Sequence, residues 1–181
     1  VEHPEKGIVV LDAGLTDGAC DYGFRPLYWV PCRNTPGSDL ASQLQAASIT
    51  PDTIKYVIPS HYHGDHISGL SRLLTFTDAP VLVTQETIAE SLSPMRFASG
   101  IPSQMLSSEM RVVNIDAYWR NDPLLGEVFN VFGDGSLRLF RTPGHTGGHM
   151  SAIAHGPERS VLLTFDAAHL RSNLELNVPS G

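Results

Sequence analysis

The chain has 181 residues and carries 12 Lys and Arg against 19 Asp and Glu, a net charge of −7; it is 41% hydrophobic and 17% charged. That length accommodates one domain with its own core, and the lack of a basic cluster argues against nucleic acid or an anionic membrane as a partner, since both need Lys/Arg stripes. No apolar run approaches the roughly 18 residues of a membrane span, and Cys20 and Cys32, without Cys-x-x-Cys spacing, read as ordinary thiols.

Ile8-Val9-Val10-Leu11, bounded by Gly7 and by Asp12-Ala13-Gly14, reads as a buried strand ending in a tight turn. Residues 15–37, with Pro26, Pro31 and Pro36, form a loop-rich excursion. Ser38 or Asp39 caps a helix that carries Leu40, Leu44 and Ala47 on one face. After a turn at Thr50-Pro51 comes a second buried strand at Tyr56-Val57-Ile58. Residues 67–74 read as a helix, 81–83 as a strand and 85–92 as a helix, and 94–110 are mixed. Strands follow at 111–115, 128–132, 137–141, 151–154 and 161–165, with Gly133-Asp134-Gly135 as a hairpin turn. Alternating strands and helices followed by a strand-rich half give an α/β chain, a single domain over residues 1–181.

The chemistry gathers in three segments. His61-Tyr62-His63-Gly64-Asp65-His66 packs four metal-ligand side chains into six residues, where neutral imidazoles and carboxylates are the usual donors to zinc and similar divalent ions. His61 and His63, two apart in an extended segment, project to the same side; Asp65 and His66 start the next helix and face a neighbouring position. Thr142-Pro143-Gly144-His145-Thr146-Gly147-Gly148-His149 follows a strand, and its glycines allow a tight loop that brings His145 towards a metal. In Thr164-Phe165-Asp166-Ala167-Ala168-His169, Asp166 ends an apolar strand.

Together and in this order the three segments resemble the metallo-β-lactamase superfamily, whose signature is His-x-His-x-Asp-His, a distant Gly-His loop and an Asp. The resemblance runs from Gly7 to about Asp166, with Asp12-Ala13-Gly14 standing for the family's Asp-Thr-Gly turn. It implies an αββα four-layer sandwich with two divalent metal ions, Zn2+ above all, at one edge between the sheets. His61, His63 and His145 would hold the first ion, Asp65 and His66 the second, and Asp166 would bridge them. Asp12 would orient a ligand or loop from behind, His149 would support its loop, and His3 and His155 are ordinary surface or packed residues.

Within the superfamily, Asp166 in place of a bridging Cys points to the lactonase, thioester hydrolase and phosphodiesterase branches. The thioesterase branch commonly has Thr-Gly-Asp, whereas Phe165 precedes the Asp here. That stretch, with Asn177-Val178-Pro179, is most similar to the N-acyl homoserine lactonases. Those enzymes usually carry a Tyr three residues after the bridging Asp, where His169 stands. The resemblance therefore implies hydrolysis of an acyl lactone or ester by hydroxide held on the metals, its pKa lowered towards about 7. Asp65 would carry the proton to the leaving alkoxide and His169 would assist at the carbonyl oxygen. The alternatives are a thioester hydrolase of the hydroxyacylglutathione hydrolase type and a truncated, non-catalytic metal-binding module. Apolar residues among 95–106 line an acyl pocket or pack in the core. The further second-metal His and the first strands of the family are not found, so the fold is expected to be truncated at both ends, with a homodimer covering the exposed edges. Val1 is followed by no signal segment and cysteines are few, which points to the cytoplasm.

Overall fold

Short runs rich in β-branched and aliphatic residues form strands whose two faces can both be buried. In the computed structural model, which describes residues 1–17, 35–94, 110–176 and 178, these runs build the first sheet. Its strands are β1 (Glu2–His3), β2 (Gly7–Leu11), β3 (Ile54–Ile58), β4 (Val81–Val83) and β5 (Val112–Asn114), in that spatial order. β2 to β5 run parallel and β1 pairs antiparallel with β2. Parallel neighbours need crossovers, and those crossovers carry α1 (Leu40–Ala46), α2 (Gly64–Ile67), α3 (Leu70–Leu74) and α4 (Gln85–Leu92). Val10, Val57, Val81 and Val83 meet Ala41, Ile67, Leu70 and Leu73 in one core on the helical side.

The alternating neighbours Val9, Ile58 and Leu82 point the other way, into a second core with Leu137, Leu139, Met150 and Ala152. These belong to an antiparallel meander of β6 (Arg120–Asp122), β7 (Gly126–Asn130), β8 (Leu137–Arg141), β9 (Met150–His155) and β10 (Ser160–Leu163). The described residues thus build helix, sheet and sheet, the first three layers of the expected order. The last helix, α5 (Arg171–Leu176), buries none of its residues. No helix among the described residues is long and apolar enough to cross a membrane.

The structure departs from the sequence expectations at several points. The helix expected over 67–74 is two short helices that begin at Gly64 and break at Gly69. A Cβ at Gly69 would lie 3.2 Å from the Ala13 carbonyl carbon and 3.3 Å from the Gly14 oxygen, so only glycine lets this junction rest on the Asp12-Ala13-Gly14 turn. The strand expected over 161–165 ends at Leu163. A 3-10 turn, Phe165–Ala167, replaces its last residues, with Phe165 in the left-handed region at φ 47°, a conformation that costs a non-glycine residue about 1–2 kcal/mol. β1 and β6 are strands without an apolar run, and pairing rather than pattern creates them. Of the two cap candidates, Asp39 caps α1, accepting from the Ser42 amide at 3.1 Å. The Gly133-Asp134-Gly135 turn forms as expected, both glycines at positive φ and both amides donating to the Asn130 side chain. Both cysteines, the apolar residues of 95–106, Asn177 and Pro179 lie outside the described residues.

Asp39 is buried, and the Ser42 hydroxyl, with the Ser42 amide and Arg72, outweighs burial and holds its carboxyl below the usual carboxylate range. A depressed folded pKa contributes stability above the unfolded value of about 4 and loses it as pH falls through the folded value. Asp39→Ala should cost about 1 kcal/mol at neutral pH. In urea melts at a series of pH values, that difference should shrink progressively below about pH 4.

Candidate metal centre

β2 and β3 are parallel, so Asp12 and Ser60, just past their C-terminal ends, share one edge of the first sheet. Antiparallel alternation puts the end of β8, the start of β9 and the end of β10 on one edge of the second sheet. The Met150 amide donates to the Ser60 carbonyl at 2.9 Å and joins the two edges.

Asp12, itself left-handed at φ 60°, accepts the Ser60 amide on one carboxylate oxygen at 2.6 Å. Its other oxygen accepts the Ser60 hydroxyl at 3.0 Å and His66 Nδ1 at 2.8 Å. The Ser60 hydroxyl proton is therefore spent on Asp12, and the 3.0 Å contact between Ser60 Oγ and His61 Nδ1 needs the proton on His61. That leaves the lone pair of His61 on Nε2, which is fully buried and has no hydrogen-bond partner. Behind His66, Ala13 and Gly14 donate their amides to its carbonyl at 2.7 and 2.9 Å. Asp12 thus turns two imidazoles so that their Nε2 atoms face the same space.

In that space, atoms of His61, His63, His145 and Asp166 lie within 4.8 Å of one another, and so do atoms of Asp65, His66 and Asp166. Asp166 straddles the groups: Oδ2 is 3.3 Å from His145 Nε2 and Oδ1 is 3.3 Å from His66 Nε2. His63 Nδ1 and His145 Nε2 approach to 2.8 Å, where one shared proton or one shared cation must separate the lone pairs. Burial, then the surrounding imidazoles, drives His61 far below its usual range; burial and His145 lower His63. Burial also brings His149 down to about 4. Burial opposes charge on His66 too, but the hydrogen bond and charge of Asp12, with Asp65 and Asp166, raise it. Neutral imidazoles with converging lone pairs and an orphaned buried Nε2 fit a divalent ion.

The six residues expected as ligands are thus brought together. His169 sits at the rim, 45% exposed, with Nε2 3.6 Å from Asp166 Oδ2, on the side of the first group. His149 is buried with Nδ1 2.7 Å from the Thr142 hydroxyl and belongs to neither group. Nor do His3, which faces Asp134, and His155, which lies between Arg138 and Ser160.

Sequence reasoning missed the residues that hold these loops. Ser60 is one. Thr87 and Glu90 of α4 are two more: the Thr87 hydroxyl donates to the Gly148 carbonyl at 3.1 Å, and the Gly147 amide donates to Glu90 at 2.6 Å. The Gly147-Gly148 pair was the available signal, because it marks a close backbone approach without saying to what.

Comparison with known proteins gives a family model, the Metallo-beta-lactamase superfamily, that matches residues 1–181. The chain is 29% identical over 187 residues to the N-acyl homoserine lactonase AttM of Azorhizobium caulinodans, covering 93% of this chain and 63% of that protein. It is 24% identical over 181 residues to an N-acyl homoserine lactonase of Bacillus thuringiensis, covering 97% and 65%. A solved N-acyl homoserine lactone hydrolase, with the product N-hexanoyl-L-homoserine at its catalytic metal centre, superposes with a TM-score of 0.75 at 25% identity, covering 97% of this chain and 65% of that one. The chain spans just under two thirds of the length of these relatives.

Asp12→Ala should weaken Zn2+ retention about 10- to 100-fold, the usual consequence of losing a partner behind a ligand; competition with a chromophoric chelator measures it. In Gly148→Ala the new Cβ would lie 2.6 Å from the Thr87 backbone nitrogen. Elemental analysis after dialysis should show less metal per chain, with the circular dichroism spectrum retained.

Proposed function

We propose that this chain, which belongs to the metallo-β-lactamase superfamily, is a metal-dependent hydrolase that opens the ester ring of acyl lactones such as N-acyl homoserine lactones. The observation that carries the reading is the sharing of Asp166 between two donor groups. His61, His63 and His145 would hold one ion, Asp65 and His66 the other, and Asp166 both, with Zn2+ the natural choice for such donors. When bound, the ions supply an acidified water and polarise the ester carbonyl.

The chain's own residues do the rest. Asp12 and Ser60 orient His61 and His66 and keep their Nε2 atoms bare. Asp65, with 57% of its side chain exposed, is free to carry a proton to the departing alkoxide. His169 at the rim donates a hydrogen bond to the carbonyl oxygen as negative charge develops there. The lactonase names of the relatives in two organisms support the substrate class.

The residue at 165 speaks against the thioester-hydrolysing branch, which commonly has Gly there, but its left-handed backbone is one that glycine adopts freely, and this turn geometry keeps thioesters as the second reading. The second donor group holds three donors among the described residues, which favours a one-ion, non-catalytic module as the third.

Metal content together with turnover of a short-chain lactone, a long-chain lactone and a thioester separates these readings. Two ions per chain with lactone opening is the expected result. Turnover of the thioester alone would move the assignment to thioesters, and one ion per chain with no turnover would leave the non-catalytic metal-binding module. His169→Phe should lower lactone turnover about 100-fold with metal content unchanged.

A further inference from the structure

Behind the donor groups runs a part-buried chain of polar atoms that the proposed reaction does not use. The Ser151 hydroxyl donates to the Thr164 carbonyl at 3.2 Å. A hydroxyl has one proton, so the 2.9 Å contact between Ser151 and Thr142 is donated by Thr142. The Thr142 oxygen must then accept in its 2.7 Å contact with His149, whose proton sits on Nδ1. The direction is fixed from one end to the other: His149 to Thr142 to Ser151 to the Thr164 carbonyl. His149 and Ser151 are each 1% exposed, and His149 Nε2 is left bare, buried and unpartnered.

Each end of this chain grips a segment of the candidate metal centre. At one end the Thr142 amide donates to the His149 carbonyl at 3.0 Å, closing the loop that holds His145, and the His149 ring lies 5.2 Å from that of His61. At the other, the Thr164 carbonyl also accepts the Ala167 amide at 3.1 Å, and the Thr164 hydroxyl donates to the Ala168 carbonyl at 3.2 Å. Between them stand Phe165 in its left-handed conformation and then Asp166. A strained residue persists only where its surroundings over-determine it, and the Ser151 hydroxyl is one of the groups that hold the start of this turn.

We infer that His149, Thr142 and Ser151 are positioning residues: a directed relay across β9 that locks the Asp166 turn to the His145 loop, so that the carboxylate and the imidazole keep a fixed separation. The relay stands on geometry alone; its effect on metal retention rests on the metal-centre reading above.

Imidazole 15N NMR tests the direction on the wild-type chain, metal-free and loaded with Zn2+. His149 should be the neutral Nδ1–H tautomer in both, and an Nε2–H tautomer overturns the proposal. Amide hydrogen exchange tests the lock. Ser151→Ala and Thr142→Val should speed exchange of the Ala167 amide about 10-fold while the amides of β7 keep their protection. Unchanged exchange at Ala167 overturns it. Chelator competition should show Zn2+ held about 10-fold more weakly in both variants. His149→Asn, whose amide N–H can replace Nδ1–H, should retain Zn2+ better than His149→Leu; equal losses overturn the relay. A wild-type chain that binds no Zn2+ would remove the metal-centre reading, while tautomer and exchange would still decide the relay.

Discussion

Two oxygens of one carboxylate, on Asp12, accept the Ser60 amide, the Ser60 hydroxyl and the His66 ring, and so fix the ends of β2, β3 and α2 to one another. Three elements from separate parts of the chain thereby acquire one geometry. Ser60 then passes the constraint on: its oxygen takes the proton of His61 Nδ1, and its carbonyl takes the Met150 amide from the second sheet. The arrangement has a chemical consequence beyond stability. By taking the Nδ1 proton of His66 directly and that of His61 through the Ser60 hydroxyl, the carboxylate dictates which nitrogen of each is left as a donor.

The second sheet meets this frame through loops that would be costly to hold by themselves. α4 pins the loop between β8 and β9 through Thr87 and Glu90, and two glycines permit the approach. Arg141, at the end of β8, lies over Trp119 and pairs with Glu86, Asp116 and Glu127, so that α4 and the second sheet are also tied at their charged rim. Hydrophobic burial stacks the layers, but it is non-directional and cannot aim a side chain. Aiming falls to the directed hydrogen bonds at the strand ends.

The site therefore has two kinds of residue. Donors converge on shared space, with Asp166 common to both groups; supports sit one bond behind and fix tautomer and angle. His169 belongs to neither kind. It stands exposed at the rim, with Nε2 3.6 Å from Asp166 Oδ2, and is the residue proposed to act on the substrate.

The sequence by itself determined the donors. Four ligand-type side chains within residues 61–66 have little packing purpose, and a Gly-rich His loop and a strand-end Asp in the right order completed the pattern. It also determined the main strands, because parallel strands buried on both faces read as unbroken apolar runs. Only the tertiary structure decided the rest. Asp12 and Ser60 are 48 residues apart, and nothing local distinguishes this serine, Thr142 or Ser151 from any other hydroxyl in the chain. The break at Gly69 and the turn at Phe165 are likewise set by contacts with distant backbone and hydroxyls. A ligand's identity is a property of its side chain and survives in the sequence. Its orientation is a property of hydrogen bonds between segments that the fold alone brings together.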